Sequence, residues 1–207
     1  MRIERPLCTS EHHVQLFDSS RSMAETVSAF LMAGFKRGEP LLIVATPQHR
    51  ELLAHKLNEA GVNVHEAIAA NRLVMLDAVE CLEKFMRQDV PSAIAFDEVV
   101  GSLVARLSNG KRLSIYGEMV DVLAARGNYK GARQLEHLWN DLGQRECYTL
   151  FCGYASGHFG DPKTAKALAD ICDSHTHLHR TRGDLLAEYL LEQADVRPAR
   201  RAAISRS

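Results

Sequence analysis

Glu118 follows an apolar run, residues 113–116, and a glycine, at the start of a helical pattern. A carboxylate in the first turn of a helix is favoured by the macrodipole, worth about 0.3–1 kcal/mol, and Asp121 one turn on would do the same. A carboxylate at a strand end also lies where open parallel sheets bind their ligands. There Glu118 would accept hydrogen bonds from a ligand or clamp Arg133 or another basic residue. Glu136 and Asn140 form an i, i+4 pair on the next helical pattern, with Trp139 beside them. Leu135, Leu138 and Leu142 make an apolar stripe that Trp139 borders, so the tryptophan is either a core anchor or part of a pocket or partner surface.

His175-x-His177-x-His179 raises metal chemistry. On a helix His175 and His179 would share a face; on a strand all three would. Histidines without a nearby cysteine are a weak zinc pattern. A solvated helix junction is the plainer reading, and no metal ligand is assigned. A phosphate loop would need G-x-x-x-x-G-K-[ST], whose glycines aim backbone N–H groups at phosphate. The nearest match is Gly157-x-x-x-x-Pro162-Lys163-Thr164, where proline removes an N–H and forbids positive φ. Neither G-x-S-x-G nor H-E-x-x-H occurs. Cys152 lies inside an apolar strand pattern, where burial makes a thiol inert. No catalytic residue is assigned.

The elements that must hold these residues alternate. Apolar runs at 14–17, 41–45, 73–76, 113–116 and 148–152 read as five strands. Unbroken runs such as Leu41-Leu-Ile-Val-Ala45 suit strands covered on both faces. Between them, Met23, Val27, Phe30, Leu31 and Gly34 mark one helical stripe. Thr46-Pro47 and Asp77-x-x-Glu80 start two more helices. Pro91 opens another, whose 3.6 period runs to Leu107. Residues 62–70 are ambiguous, and an amphipathic helix spans about 184–194. This predicts an α/β fold, a mostly parallel sheet flanked by helices on both faces, with a C-terminal helical extension. Strand ends then nominate Asp18, Thr46, Asp77, Gly117, Glu118 and Tyr154 as ligand-facing. His13, just ahead of the first strand, would hydrogen-bond across the sheet or enter the pocket.

Tyr116-Gly117-Glu118-Met119-Val120-Asp121, Leu135-Glu136-x-Leu138-Trp139-Asn140 and Leu150-Phe151-Cys152-x-Tyr154 resemble the MEDS family (methanogen/methylotroph, DcmR sensory). The likeness runs from about His13 to about His179. It implies a sensory or regulatory domain with a three-layer fold like the RecA/KaiC ATPases, without their phosphate loop. It keeps Tyr116, Gly117, Glu118, Glu136, Trp139, Asn140 and Tyr154, with His13, Asp18 and Thr46, as candidate ligand-binding residues. The expected organisation is a flexible lead (1–10), the sensory domain (11–180), a C-terminal helix (181–195) and a disordered basic tail (196–207).

Composition narrows the function classes. At 207 residues, 46% hydrophobic and 25% charged, the chain has a core and an ordinary surface. A net charge of -1 gives no global case for nucleic acid or an acidic membrane, and no run approaches a membrane span. The N-terminus lacks a signal peptide's apolar core. The five cysteines, without C-x-x-C, read as reduced, buried thiols. The expectation is a stand-alone cytoplasmic, non-catalytic signalling domain. It would bind a small ligand or a regulatory protein, such as a kinase or transcription regulator. Self-association through the C-terminal helix is a further expectation, and no cofactor is named. The alternative is a degenerate nucleotide-binding ATPase-like protein or a small-molecule enzyme.

Overall fold

The computed structural model describes residues 9–180 and 184–196. The expected flexible lead, apart from residues 9 and 10, and the basic tail beyond residue 196 lie outside them. The apolar runs form parallel strands: β1 (Glu11–Phe17), β2 (Leu41–Ala45), β3 (Leu73–Asp77), β6 (Leu113–Gly117) and β7 (Tyr148–Ala155). A short hairpin, β4 (Met86–Arg87) with β5 (Val90–Pro91), stands apart. The sheet order is β3-β2-β6-β7-β1-β8, all parallel, where β8 is His177–His179. β8 escapes sequence reading because it is three residues long and alternates exposed with half-buried positions.

Helices cover both faces, so β2 and β6 are buried at every residue. On one face lie α1 (Ser20–Lys36), α2 (Pro47–Glu59) and α3 (Val64–Ala69). They enclose a core that includes Val27, Leu31, Leu53, Leu57, Tyr116 and Phe151. Ser19 caps α1 by accepting from the Ser22 N–H, and Gly34 lets the helix approach β6 so closely that a Cβ there would collide with Ser114. α3 resolves the ambiguous stretch; Asn63 caps it.

The other face holds α4 (Ala78–Phe85), α5 (Ala93–Phe96), α6 (Ser102–Ser108), α7 (Met119–Ala125), α8 (Tyr129–Gly143), α9 (Ala165–Asp173) and α10 (Leu185–Gln193). Trp139 anchors this core. Phe96 and Tyr148 meet its ring edge-on at 5.3 and 5.9 Å, and the Tyr148 hydroxyl donates to its carbonyl. Two local expectations need correction. Pro91 ends a hairpin instead of opening a helix, and the cap is Ser92. The period from 93 to 108 is interrupted by a π turn, Asp97–Gly101. α10 buries Ala187, Leu190 and Leu191 in the core while Leu185, Leu186 and Tyr189 stay exposed.

Candidate ligand-binding site

Three strand ends, of β1, β6 and β7, converge on a crevice of about 230 Å³, lined by Phe17, Asp18, Ser19, Ser20, Met23, His49, Tyr116, Glu118, Asp121, Gly153, Tyr154 and Ala155. Glu118 organises it. The β6 strand delivers the residue to the sheet's end, and its backbone N–H is tied to the Val44 carbonyl of β2. One carboxylate oxygen accepts from the Thr46 N–H at 2.9 Å and from its hydroxyl at 3.3 Å. The other accepts from the Tyr116 hydroxyl at 2.8 Å and from His49 Nδ1 at 2.6 Å. The far nitrogen of His49 meets Ser20 Oγ at 2.8 Å, so the chain of contacts crosses from β6 through α2 to α1. The bond to Glu118 raises the His49 pKa above 6.5, against burial. The Thr46 hydroxyl was expected to cap α2; it is diverted to Glu118 instead.

Asp121 sits beside Glu118, accepts from the Ala155 N–H at 2.8 Å and faces His158 at 3.3 Å. Burial raises its pKa, and Glu118 adds to that. Gly153 makes room for the Tyr116 ring: a Cβ there would lie 2.7 Å from its hydroxyl. The wall thus carries three carboxylates, one histidine and no lysine or arginine.

A second cluster is sealed beneath the other face of the sheet. Glu136 projects from α8 with no exposed surface. Tyr154 donates to it at 2.7 Å and the Cys152 thiol at 3.4 Å. His12 Nε2 lies 3.2 Å from one oxygen and His175 Nε2 lies 3.3 Å from the other. Burial opposes ionisation of Glu136, but the two histidines outweigh it and hold the carboxyl well below its usual range. Burial lowers the pKa of His12, helped by neighbouring His175.

A family model for MEDS, the MEthanogen/methylotroph, DcmR Sensory domain, matches residues 11–176. The chain belongs to the MEDS family. The family supports a sensory or signalling role. No curated protein matches the sequence of this MEDS domain. A solved KaiC-like protein from the hyperthermophilic archaeon Pyrococcus horikoshii OT3 is similar at 16% identity and a TM-score of 0.46. The match covers 72% of this chain and 64% of that one, less than two thirds of its length. No helix among the described residues is long and apolar enough to cross a membrane.

The structure separates the candidate residues of this MEDS domain into four places. Asp18, Tyr116, Glu118 and Tyr154 line the strand-end crevice, Thr46 holds Glu118 from its edge, and Gly117 supplies the β6 backbone leading into it. Trp139 and Asn140 border a depression of about 300 Å³ that also takes in Ser10, His12 and Tyr148, at the strands' amino ends. Glu136 is enclosed between the two. His13 does not enter the crevice. It takes the cross-sheet alternative, meeting His179 at 2.9 Å on β8. Arg133 does not reach Glu118; it pairs with Asp170, and His49 is the base that does.

His175-x-His177-x-His179 is not one unit, since His175 turns into the Glu136 cluster while His177 and His179 lie on β8. The Pro162-Lys163-Thr164 segment forms a single 3₁₀ turn in which Asp161 accepts the Lys163 N–H. Cys81, Cys152 and Cys172 are buried free thiols, whereas Cys147, expected to be one, is disulfide-bonded. Sequence reasoning missed His49 and Ser20. Both lie in the first turn of a helix that directly follows a strand end, and that position was their signal.

Proposed function

We propose that this MEDS domain is a non-catalytic sensor that takes a small organic cation or hydrogen-bond donor in the strand-end crevice. The observation that carries this is Glu118, a buried carboxylate with both oxygens engaged, at the mouth of a crevice walled by three acids. Phe17, Met23 and Tyr116 supply apolar contact for a short carbon chain. A volume of about 230 Å³ is that of roughly eight water molecules at ~30 Å³ each, below the ~300–1,000 Å³ of pockets for larger ligands. An anionic nucleotide would meet three carboxylates there, and the one histidine is already engaged by Glu118. Burial raises the Asp121 pKa, and a positive ligand beside it would favour its ionised form.

Occupancy would act by population shift. A ligand donating to Glu118 competes with His49, and His49 is what joins Glu118 to Ser20 at the start of α1. The resulting state would pass to a regulatory protein, such as a kinase or a transcription regulator, or to a second copy. The exposed Leu185, Leu186 and Tyr189 of α10 supply an apolar contact surface for either.

Titration with methyl- through butylammonium and with magnesium ATP, following thermal unfolding, tests the reading. The expected result is a saturable rise in Tm with at least one ammonium ion, absent in Glu118→Gln, and none with ATP. A saturable rise with ATP accompanied by phosphate release would replace the sensor reading with an enzymatic one.

A further inference from the structure

Four potential metal donors from four separate parts of the chain meet under α8: His12 on β1, Glu136 on α8, Cys152 on β7 and His175 after α9. One donor atom from each lies within 4.8 Å of all the others. The contacts that define the cluster are 3.2 Å (His12 Nε2 to Glu136), 3.3 Å (His12 Nε2 to Cys152 Sγ), 3.4 Å (Cys152 Sγ to Glu136) and 3.3 Å (His175 Nε2 to Glu136). Tetrahedral zinc with bonds of about 2.0–2.3 Å sets its ligand atoms roughly 3.3–3.8 Å apart; the triangle of His12 Nε2, Cys152 Sγ and one Glu136 oxygen is close to that spacing, and His175 Nε2 approaches the other carboxylate oxygen.

The second layer fixes which ring nitrogens face inward with a lone pair. Asn140 donates through Nδ2 to the Ser174 carbonyl at 2.8 Å, which turns its Oδ1 toward His12 Nδ1, also at 2.8 Å. His175 Nδ1 meets the Ile171 carbonyl at 2.7 Å. Both neighbours are acceptors, so each Nδ1 carries a proton, which leaves each Nε2 as the ring atom that would turn a lone pair to a bound ion. His175 Nε2 is inaccessible and has no hydrogen-bond partner of its own. This is the arrangement in which metal-ligating histidines are held, the outer nitrogen bonded to a carbonyl or amide oxygen. Charge agrees: one carboxylate and one thiolate neutralise a dication, with two neutral imidazoles completing the set.

The geometry points to a buried tetrahedral site for a borderline divalent transition metal, zinc first, held by His12, Glu136, Cys152 and His175. Two nitrogens, one sulfur and one oxygen suit zinc over the hard cations magnesium and calcium. All four positions are filled by protein, which marks a structural or regulatory ion with no open position for a substrate. The site joins β1, β7, α8 and the chain beyond α9, and Tyr154, which also borders the crevice, donates to its carboxylate.

Cobalt(II) is the probe, because a thiolate ligand gives it a charge-transfer band that the exposed Glu11, His13 and His177 cluster cannot. The full chain is refolded from guanidinium with cobalt(II) chloride, so that burial does not limit entry. The expected result is one equivalent bound, with tetrahedral d–d absorption and a thiolate band. That band should vanish in Cys152→Ser, persist in His177→Asn, and need roughly 10–100-fold more metal in Asn140→Ala. Metal analysis of the chain purified without chelator should give one zinc per chain and needs no variant to fold. A refolded wild-type chain with no thiolate band, or a band that survives Cys152→Ser, overturns the site and leaves a proton-sharing histidine–carboxylate network. The crevice reading is untouched by either result.

Discussion

Glu118 and Glu136 share an equipment list and differ in where it is kept. Each carboxylate accepts from a tyrosine hydroxyl, Tyr116 or Tyr154, and each is approached by a histidine. Glu118 stands at the sheet's rim, with partners from a backbone N–H, a threonine and a half-buried ring in the first turn of α2. Glu136 is sealed under the opposite face, with both its histidines deep inside and held from behind by Asn140 and Ile171. The same groups thus make a contact that a solvent-borne molecule could compete for at the rim. In the interior they make one that only a small ion or a proton could enter. Position in the sheet, more than residue type, separates recognition from structure here.

The sharpest way to break this comparison is to remove each carboxylate in turn. Glu136→Leu leaves two buried imidazoles, a thiol and the Tyr154 hydroxyl facing an apolar side chain. Breaking a buried ionic cluster at one partner costs about 3–5 kcal/mol, and urea unfolding should report a loss of that size. Glu118→Ala should cost less, about 1–3 kcal/mol, since water can reach Thr46 and His49 once the oxygens are gone. If the two losses are equal, the rim site is as sealed as the interior one and the distinction fails.

The rim site was largely legible in the sequence, and the interior site was not. Glu118, Asp18 and Tyr154 follow from one rule, that a polar residue just past a buried strand faces the crevice of a parallel sheet. The strands themselves are readable because burial on both faces leaves continuous apolar runs such as Leu41–Ala45. The interior cluster obeys no local rule. His12 is 128 residues from Asn140 and 140 from Cys152, and only the pairing of β1 beside β7 brings them together. His175 was concealed by its own motif, since its spacing to His177 and His179 suggested one unit where the chain makes two. The π turn at Asp97–Gly101 and the hairpin at Met86–Arg87 also have no periodic signature.

A smaller effect sharpens the rim side alone. The pKa of His49 is raised in the folded chain, so the pair it makes with Glu118 is fully present below about pH 6.5 and is lost as pH rises through the raised value. The groups facing it are Glu118 and, further off, Asp121; the hydroxyl of Ser20 closes the other side. Asp121 also has a raised pKa and also loses stability with rising pH, but its window opens from 3.8, below that of His49. Unfolding free energies at pH 6 and pH 8 should therefore fall more for the parent chain than for His49→Gln. Equal changes in the two proteins would mean that His49 does not carry its charge on Glu118.

The smallest effect separates Arg133, the base that the sequence offered to Glu118, from His49, the base that holds it. Arg133 pairs with Asp170 at 3.1 Å on an exposed face of α8 and α9, with about half of its side chain in water. Screening and side-chain entropy hold such pairs to about 0–1 kcal/mol. Arg133→Ala should therefore change stability by less than Glu118→Ala, and a double variant with Glu118→Ala should show additive losses to within about 0.5 kcal/mol. Additivity follows because the two sites share no partner: Glu118 is satisfied by Thr46, His49 and Tyr116, and none of these touches Arg133 or Asp170. A coupling energy well above that limit would place Arg133 on the crevice after all, and the rim carboxylate would then be clamped from α8 as firmly as Glu136 is.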